Sequence, residues 1–395
     1  MSAALAAPTL APPLTPNSHA AALPGVRLLT VNEQPARRPL GAWAEDLSGS
    51  LATALAEPDV IGRARTVTGC GNNASLILAH AGRLDDAERV VRAQVAWLQA
   101  GADRTGEGAL LALALQPWIN LGRLHALRGH AAAALRHYAE VRACRMDAPV
   151  SLAGRAIIPA HWKAAGWEPA GLERFARTAW AIDGLRVLLA AGRWAEVREM
   201  ADGDAERGAG GAAAFLREAR WIALGREGRV DVALAQVEPA VRAGSVWDRM
   251  VAHVRRAELL LLAGDETSAA GTLGELVAVF GRMGGLEGLQ LPALLIVQAL
   301  AALAVLHVPS AAARTLAGRV AAGARRLDDE VMEIEILRLL AASDRPAERA
   351  RRADELRRRT DATGYARLRP RDRPPAPSAA VDALLERILA ALRTD

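Results

Sequence analysis

Residues able to do chemistry are few and scattered in this sequence. It contains no GxSxG nucleophile motif, no P-loop and no GxGxxG loop after a strand. Cys70 lies in the Gly/Asn-rich stretch GCGNNAS, and a cysteine at the start of a helix can have a lowered pKa. Because no base lies near it in the sequence, we interpret the stretch as a helix N-terminus capped by Asn72 or Asn73. No catalytic residue is predicted, and an enzymatic role is the less favoured one.

Three histidines, His125, His130 and His137, fall within one short segment. Their spacings of five and seven residues differ from the i, i+4 pair of a helical zinc site. No Glu-x-x-His motif repeats, as a di-iron bundle would require. We therefore expect neither a metal nor another cofactor.

The most irregular stretch, residues 149–180, is rich in aromatic residues: Trp162, Trp167, Phe175 and Trp180. Aromatic side chains with a polar edge are favoured in binding grooves. Two interpretations stay open. The aromatic residues line a ligand site, or they fill a gap between two halves of a repeat array.

The elements that must position these residues are helices, because alanine, leucine and valine carry the apolar content and aromatic residues make up only 4%. A unit recurs in which an apolar helix, a short turn and a second helix follow one another. A small residue stands five positions after the turn residue. The clearest copy has the pattern W-x2-L-G-x2-H-x3-G-x4-A-x3-Y and consists of Trp118, Leu121, Gly122, His125, Gly129, Ala134 and Tyr138.

This pattern resembles the signature of the tetratricopeptide-repeat (TPR) family, W-x2-L-G-x2-Y followed by A-x3-F, with His125 and Tyr138 at two of the aromatic positions. Weaker copies bend at Gly82, Gly192, Gly228 and Gly264, and a degenerate copy bends near residue 308. The last three glycines are 36 residues apart. Longer spacings predict insertions at about 100–108 and 145–175. We predict an all-α, TPR-like α-solenoid of antiparallel helical hairpins, irregular in its first half.

The resemblance implies a concave face, formed by the first helix of each hairpin, that binds an extended peptide. Asn73 and Asn120 match the Asn with which some TPR proteins hold a terminal carboxylate, whereas Asn72 and Leu76 replace the basic partners of that clamp. A solvated helix face is the alternative. The candidate ligand- or partner-binding residues are Asn72, Asn73, Asn120, Arg123, Asp183, Arg186, Glu218, Arg255 and Glu258.

Composition divides the chain into four segments. Residues 1–40 form an Ala/Pro-rich leader that we expect to be disordered, and residues 41–360 form the repeat domain. An Arg/Pro-rich linker, 361–378, precedes an amphipathic helix, 379–395. The apolar stretch 291–308 is interpreted as a buried helical hairpin rather than a membrane span.

Charge and cysteine content limit the partners. The net charge is +5, and residues 343–373 carry that excess with eleven arginines and six acidic residues. Because the acidic residues are interleaved with the arginines, we interpret the segment as a solvated helix, and a regulator that binds nucleic acid through this segment is the less favoured alternative. Two cysteines and the lack of a basic n-region favour a cytoplasmic protein without membrane association.

We predict a regulatory or scaffolding module that binds a protein or peptide. Binding of a small ligand is left open as a further possibility. The alternative is an enzyme or enzyme accessory of bacterial specialised metabolism, with a ligand site at residues 149–180.

Overall fold

The computed structural model describes residues 39–206, 213–243, 246–282, 291–308, 310–342, 346–365 and 378–393. The N-terminal leader and most of the Arg/Pro-rich linker lie outside these ranges. Within them the chain is almost entirely helical, which confirms the all-α prediction. The elements are α1 (Leu40–Leu55), α2 (Val60–His80), α3 (Leu84–Thr105), α4 (Ala109–Leu113), α5 (Leu115–Leu127), α6 (Ala131–Arg142), β1 (Val150–Leu152), β2 (Arg155–Ile157), α7 (Pro159–Ala164), α8 (Pro169–Ala190), α9 (Trp194–Glu206), α10 (Ala213–Arg226), α11 (Val230–Ala243), α12 (Val246–Leu262), α13 (Glu266–Arg282), α14 (Leu291–His307), α15 (Ala311–Arg326), α16 (Glu330–Ala342), α17 (Pro346–Thr363) and α18 (Ala379–Ala391).

Consecutive helices pair into hairpins, and the hairpins stack into a helical-repeat array. The pairs are α2 with α3, α5 with α6, α8 with α9, α10 with α11, α12 with α13, α14 with α15, and α16 with α17. In each pair the second helix also contacts the first helix of the next pair, and successive first helices contact one another. Stacking buries the apolar stripe that one hairpin alone would expose.

The turns between paired helices use the backbone geometry that glycine allows. Gly129 has φ 78°, which ends α5. Its N–H donates to the Ala126 carbonyl at 3.0 Å, and the His130 N–H donates to the His125 carbonyl at 2.9 Å. This is the Schellman arrangement, which satisfies the last carbonyls of a helix. The same pair of hydrogen bonds follows the other bend glycines, Gly82, Gly192, Gly228 and Gly264.

Small side chains allow the paired helices to approach closely, as the repeat pattern predicts. The residues five positions after the bends, Ala87, Ala134, Val197, Ala233 and Ala269, are all fully buried. A Cβ added at Gly122 would lie 2.6 Å from Cε1 of the Tyr138 ring. The ring therefore occupies the space that any larger residue at position 122 would need.

The first half of the array is irregular, as expected, but part of the insertion is a β-hairpin that the sequence did not predict. Strands β1 and β2 are antiparallel, with Ser151 opposite Ala156. Their turn places both Ala153 (φ 53°) and Gly154 (φ 76°) in the left-handed region. Gln99 Nε2 donates to the Ala153 carbonyl at 2.9 Å, which fixes the hairpin against α3.

Two local interpretations were wrong. Cys70 lies in the middle of α2, which begins at Val60 because the Asp59 side chain accepts a hydrogen bond from the Gly62 N–H. Asn72 and Asn73 therefore lie inside α2 and are not N-caps of it. The apolar stretch from residue 291 is one helix, α14, rather than a hairpin. Pro292 does not interrupt it, because the first turn of a helix needs no N–H donor.

The two ends of the described chain share one hydrophobic core. Leu40 of α1, Ile77 of α2, Ile334 of α16, Tyr365 and Leu384 of α18 belong to the same buried cluster. Within the described ranges, no helix combines the length and apolarity that a membrane span needs.

Candidate functional site

The candidate residues on the predicted concave face occupy repeated positions of the first helices. Asn73, Asn120, Asp183 and Arg255 stand nine residues before the bend glycines of their hairpins. Arg123, Arg186 and Glu258 stand six residues before them. Residues three apart lie on one helix face. The repeat therefore aligns these side chains along α2, α5, α8 and α12, and Glu218 joins them from α10.

The first group, which we call the arginine pair, is formed by Arg123, Asp183 and Arg186 on α5 and α8. Arg123 Nη2 and Nε donate to Asp183 Oδ2 at 2.8 and 3.1 Å. Arg186 Nη1 approaches the other carboxylate oxygen of Asp183 at 3.4 Å. One carboxylate thus holds two guanidinium groups.

Neutral amides extend this group towards α2. Arg123 Nη1 donates to Asn120 Oδ1 at 3.2 Å, and Asn120 Nδ2 donates to Asn72 Oδ1 at 3.0 Å. Asn73, the next residue, is exposed to solvent. The line of hydrogen bonds from α2 to α8 holds the polar side chains in one arrangement before any partner binds.

The arginine pair carries one more positive charge than negative charge. The Asp183 side chain is 4% exposed, whereas Arg123 and Arg186 are 39% and 42% exposed. Burial lowers the pKa of Arg123, but the charge and hydrogen bonds of Asp183 outweigh it and raise that pKa. Arg123 therefore stays charged, and both guanidinium groups reach solvent.

Tyr138 lies beside the arginine pair, although the sequence marked it only as a core residue. Burial raises the pKa of its hydroxyl, and the Asp183 charge raises it further. The phenol is thus neutral and lies near the charged side chains of the arginine pair, on the adjacent helix α6. Its position in the strongest repeat copy was visible in the sequence, but its proximity to Asp183 depends on how α6 and α8 pack.

The second group, the buried triad, consists of Glu218, Arg255 and Glu258 on α10 and α12. Arg255 Nε and Nη2 donate to Glu218 Oε1 at 2.9 and 2.7 Å, and Arg255 Nη1 donates to Glu258. All three residues are buried. Burial raises the pKa of Glu258, against the opposing effect of Arg255. The triad joins two repeats internally and offers a partner almost no accessible charge.

The aromatic insertion contributes chiefly to the core. Trp162 is fully buried, and the Trp167 and Phe175 rings pack with their centroids 5.2 Å apart. Trp180 is half-buried, with the Arg142 guanidinium carbon 5.2 Å from its ring centroid. A cavity of about 290 Å³ lies beside it, lined by Leu135, Arg142, Trp180, Leu188, Glu196, Glu199 and Met200. Of the four predicted aromatic residues, Trp180 lines this cavity.

The histidines form a stack rather than a ligand set. His125 and His137 are parallel within 10°, with centroids 5.2 Å apart, and the Trp118 ring meets His137 edge-on. Burial lowers the pKa of His137 to about 4, assisted by the charges of His125, Arg92 and Arg136. Among the residues that the structure describes, no three His, Cys, Asp or Glu side chains are grouped to hold a metal ion.

Cys70 and Cys144 are also buried, and burial raises the pKa of both thiols. Raised values disfavour the nucleophilic thiolate.

Neither protein-family models nor characterised proteins match this chain.

Proposed function

We propose that this chain is a TPR-like module that binds a partner protein or peptide along its first helices, in a regulatory or scaffolding role. The glycine bends, the buried small residues and the fit of Tyr138 against Gly122 support the TPR-like assignment. The arginine pair and the amides beside it are the proposed contact surface.

The surplus charge of the arginine pair is the observation that carries this proposal. Asp183 neutralises one of two guanidinium groups, and both are exposed by about 40% of their side-chain area. A second carboxylate, supplied by a partner, would complete the charge balance. Guanidinium groups also bind carboxylates through paired hydrogen bonds, which gives the contact direction as well as strength.

The partner chemistry that fits is an extended, acidic segment. Asn120 is buried, whereas the partly exposed Asn72 supplies an amide group beside the guanidinium groups, and such a group can hydrogen-bond a peptide backbone. The side chains are already ordered by their own hydrogen bonds. Binding therefore costs little additional side-chain entropy at this surface.

The proposal is tested with immobilised peptides of random sequence in which acidic positions are compared with their amide counterparts. The chain should retain acidic peptides, and Arg123→Gln with Arg186→Gln should weaken their binding by at least about tenfold to a hundredfold, since the loss of even one charged hydrogen bond costs about 1.5–3 kcal/mol. The matched control is Arg89→Gln with Arg92→Gln. It removes the same charge from two exposed arginines of the second helix α3.

Equal losses in both double variants would show a general charge effect and contradict the proposed contact surface. Binding that makes no distinction between acidic peptides and their amide counterparts would contradict the partner chemistry as well.

A second candidate function rests on the cavity beside Trp180. Its lining combines apolar side chains with charged ones and suits a small zwitterionic molecule. The apolar side chains are Leu135, Leu188 and Met200, and the charged ones are Arg142, Glu196 and Glu199. Such a site would support the alternative of an enzyme or enzyme accessory. A thermal-shift screen with aromatic and aliphatic amino acids tests it. Any stabilisation should disappear in Glu199→Gln but persist in Arg123→Gln.

A further inference from the structure

Helices α18 and α1, from opposite ends of the chain, make the same contacts as a hairpin of the array. Helix α18 packs against α1, α1 packs against α2, and α18 also contacts α2. These are the three contacts that each first helix, its second helix and the next first helix make elsewhere, as in α10, α11 and α12. In this arrangement α18 is the first helix and α1 the second helix of one repeat.

One continuous apolar face of α18 makes this contact. Its buried residues recur at helical spacing: Val381, Leu384, Leu385, Ile388, Leu389 and Leu392. Ser378 caps the helix by accepting a hydrogen bond from the Val381 N–H. Arg83, at the first bend, forms an ion pair with Asp382. The ion pair fixes how far α18 lies along the groove between α1 and α2.

The hairpin formed by α16 and α17 contacts the repeat that α18 and α1 form together. Tyr365, just after α17, is fully buried, with its ring centroid 5.2 Å from that of His80. A Cβ at Gly364 would lie 3.4 Å from Leu40 Cβ, so the end of α17 touches the start of α1. The last hairpin of the array thus reaches the first one.

We propose that the groove formed by α1, α2 and α3 is a helix-binding site, that its resident occupant is α18, and that α18 acts as a displaceable latch closing the array. The covalent link from α17 gives α18 a high local concentration at the groove. A free helix of the same sequence binds there once the resident helix is weakened. Apolar side chains of the groove recognise the helix, and Arg83 selects an acidic residue near its N-terminus.

The first test weakens the resident helix in the full chain. In Leu384→Asp with Ile388→Asp, α18 loses two buried side chains of its apolar face. A labelled peptide of residues 378–393 should then bind saturably, and binding to the unchanged chain should be weaker by about tenfold or more, because its own α18 competes intramolecularly. A peptide carrying the same two substitutions is the control and should not bind. Equal binding to both chains, or to both peptides, overturns the proposal.

The second test keeps the apolar face of α18 intact, and it shows whether α18 occupies the groove where the first variant does not fold. A Cβ at Gly41 would lie 3.8 Å from Ser378 Oγ, the position that the Sγ of a cysteine at 378 would take, so the two cysteines would face each other at short range. Gly41→Cys with Ser378→Cys should form an intrachain disulfide in the folded protein and raise its Tm. Failure of the folded chain to form this bond overturns the proposal. Disulfide-linked dimers as the main product overturn it too, because α18 would then serve another copy.

Discussion

The arginine pair and the buried triad have the same ingredients but opposite character. Each joins Arg and acidic side chains on two first helices of the array, three residues apart along one of those helices. In the arginine pair, two exposed guanidinium groups share one carboxylate. In the buried triad, two carboxylates share one guanidinium group that is only 5% exposed. Equivalent repeat positions thus hold a solvent-exposed group with surplus positive charge in one place and a buried, internally paired group in the other.

The difference shows that a polar residue on a concave-face position is not by itself a binding residue. Exposed charges exchange water for a partner at small cost, whereas buried charges are committed to one another because their separation leaves an unpaired ion in the interior. The arginine pair is suited to binding and the buried triad to joining repeats. Substitutions in the two groups should therefore have different consequences.

The largest expected effect follows from Arg255→Leu. It leaves the carboxylates of Glu218 and Glu258 buried without their guanidinium partner, so it should lower the free energy of unfolding by about 3–5 kcal/mol. Urea denaturation followed by circular dichroism measures this loss. Arg123→Leu should cost less, about 1–2 kcal/mol, because Arg186 remains as a partner of the Asp183 carboxylate.

Equal losses at the two positions would break the distinction between the groups. A further variant sharpens it. In the Arg255→Leu background, Glu218→Gln and Glu258→Gln should restore part of the stability, since neutral amides are less costly to bury than carboxylates.

Acid should destabilise the hairpin α5–α6, which carries Arg123. The folded-state pKa of His137 is about 4, below its ordinary 6.5, so the folded protein binds this proton less readily than the unfolded chain. Stability is therefore unaffected above pH 6.5 and falls as the pH drops from 6.5 to about 4, by at most about 1.4 kcal/mol per pH unit from this group. The buried triad should respond in the opposite sense, because the raised pKa of Glu258 means that protonation at low pH relieves a cost of folding.

Hydrogen exchange measured between pH 7 and pH 4.5, corrected for intrinsic rates, separates the two hairpins. Amides of the hairpin α5–α6 should lose protection before those of the hairpin α10–α11, which carries Glu218. His137→Phe keeps an aromatic ring against Trp118 and should reduce this pH dependence, the remainder coming from His125, whose pKa burial also lowers. An unchanged profile in that variant would assign the effect to another group.

Glycines in the two regions should tolerate alanine differently. At Gly122 a Cβ would meet the rigid, buried Tyr138 ring, so Gly122→Ala should cost about 2 kcal/mol through overpacking. At Gly225 the nearest atom is a terminal methyl of Leu259, 2.5 Å away, and that side chain can rotate. Gly225→Ala should be close to neutral, because alanine also gains about 1 kcal/mol of helix propensity. Thermal unfolding of both variants tests this order, and a larger loss at Gly225 would contradict it.

The sequence predicted the parts of the fold that local chemistry determines. Bend glycines, and small residues five positions beyond them, identify hairpins because both requirements lie within a few residues of one turn. Asp328 escaped notice because it adopts φ 57° without being glycine, although the Asp329 N–H donates to the Ala324 carbonyl as in the other bends. The β-hairpin escaped because its strands have three residues each.

The character of the site could not be predicted in the same way. The repeat positions placed Arg123 and Arg255 on equivalent helix faces, but their exposure depends on which side chains the neighbouring helices present. Asp183 stands nine residues before its bend glycine, whereas Glu218 stands ten residues before its own. Arg123 binds Asp183, and Arg255 binds Glu218. The docking of α18 on α1 is a contact between chain ends, which no local pattern records.

A small effect on stability is also expected from Asp183→Asn, and this variant bears most directly on binding. Asparagine keeps the shape and an acceptor oxygen, and the two exposed guanidinium groups can turn to water, so stability should fall by only about 1 kcal/mol. The surplus charge of the arginine pair would rise by one. Affinity for acidic peptides should therefore increase while affinity for their amide counterparts stays the same, as measured by isothermal titration at two salt concentrations. A loss of acidic-peptide affinity, with the fold intact, would mean that Asp183 positions the arginines rather than merely competing for them.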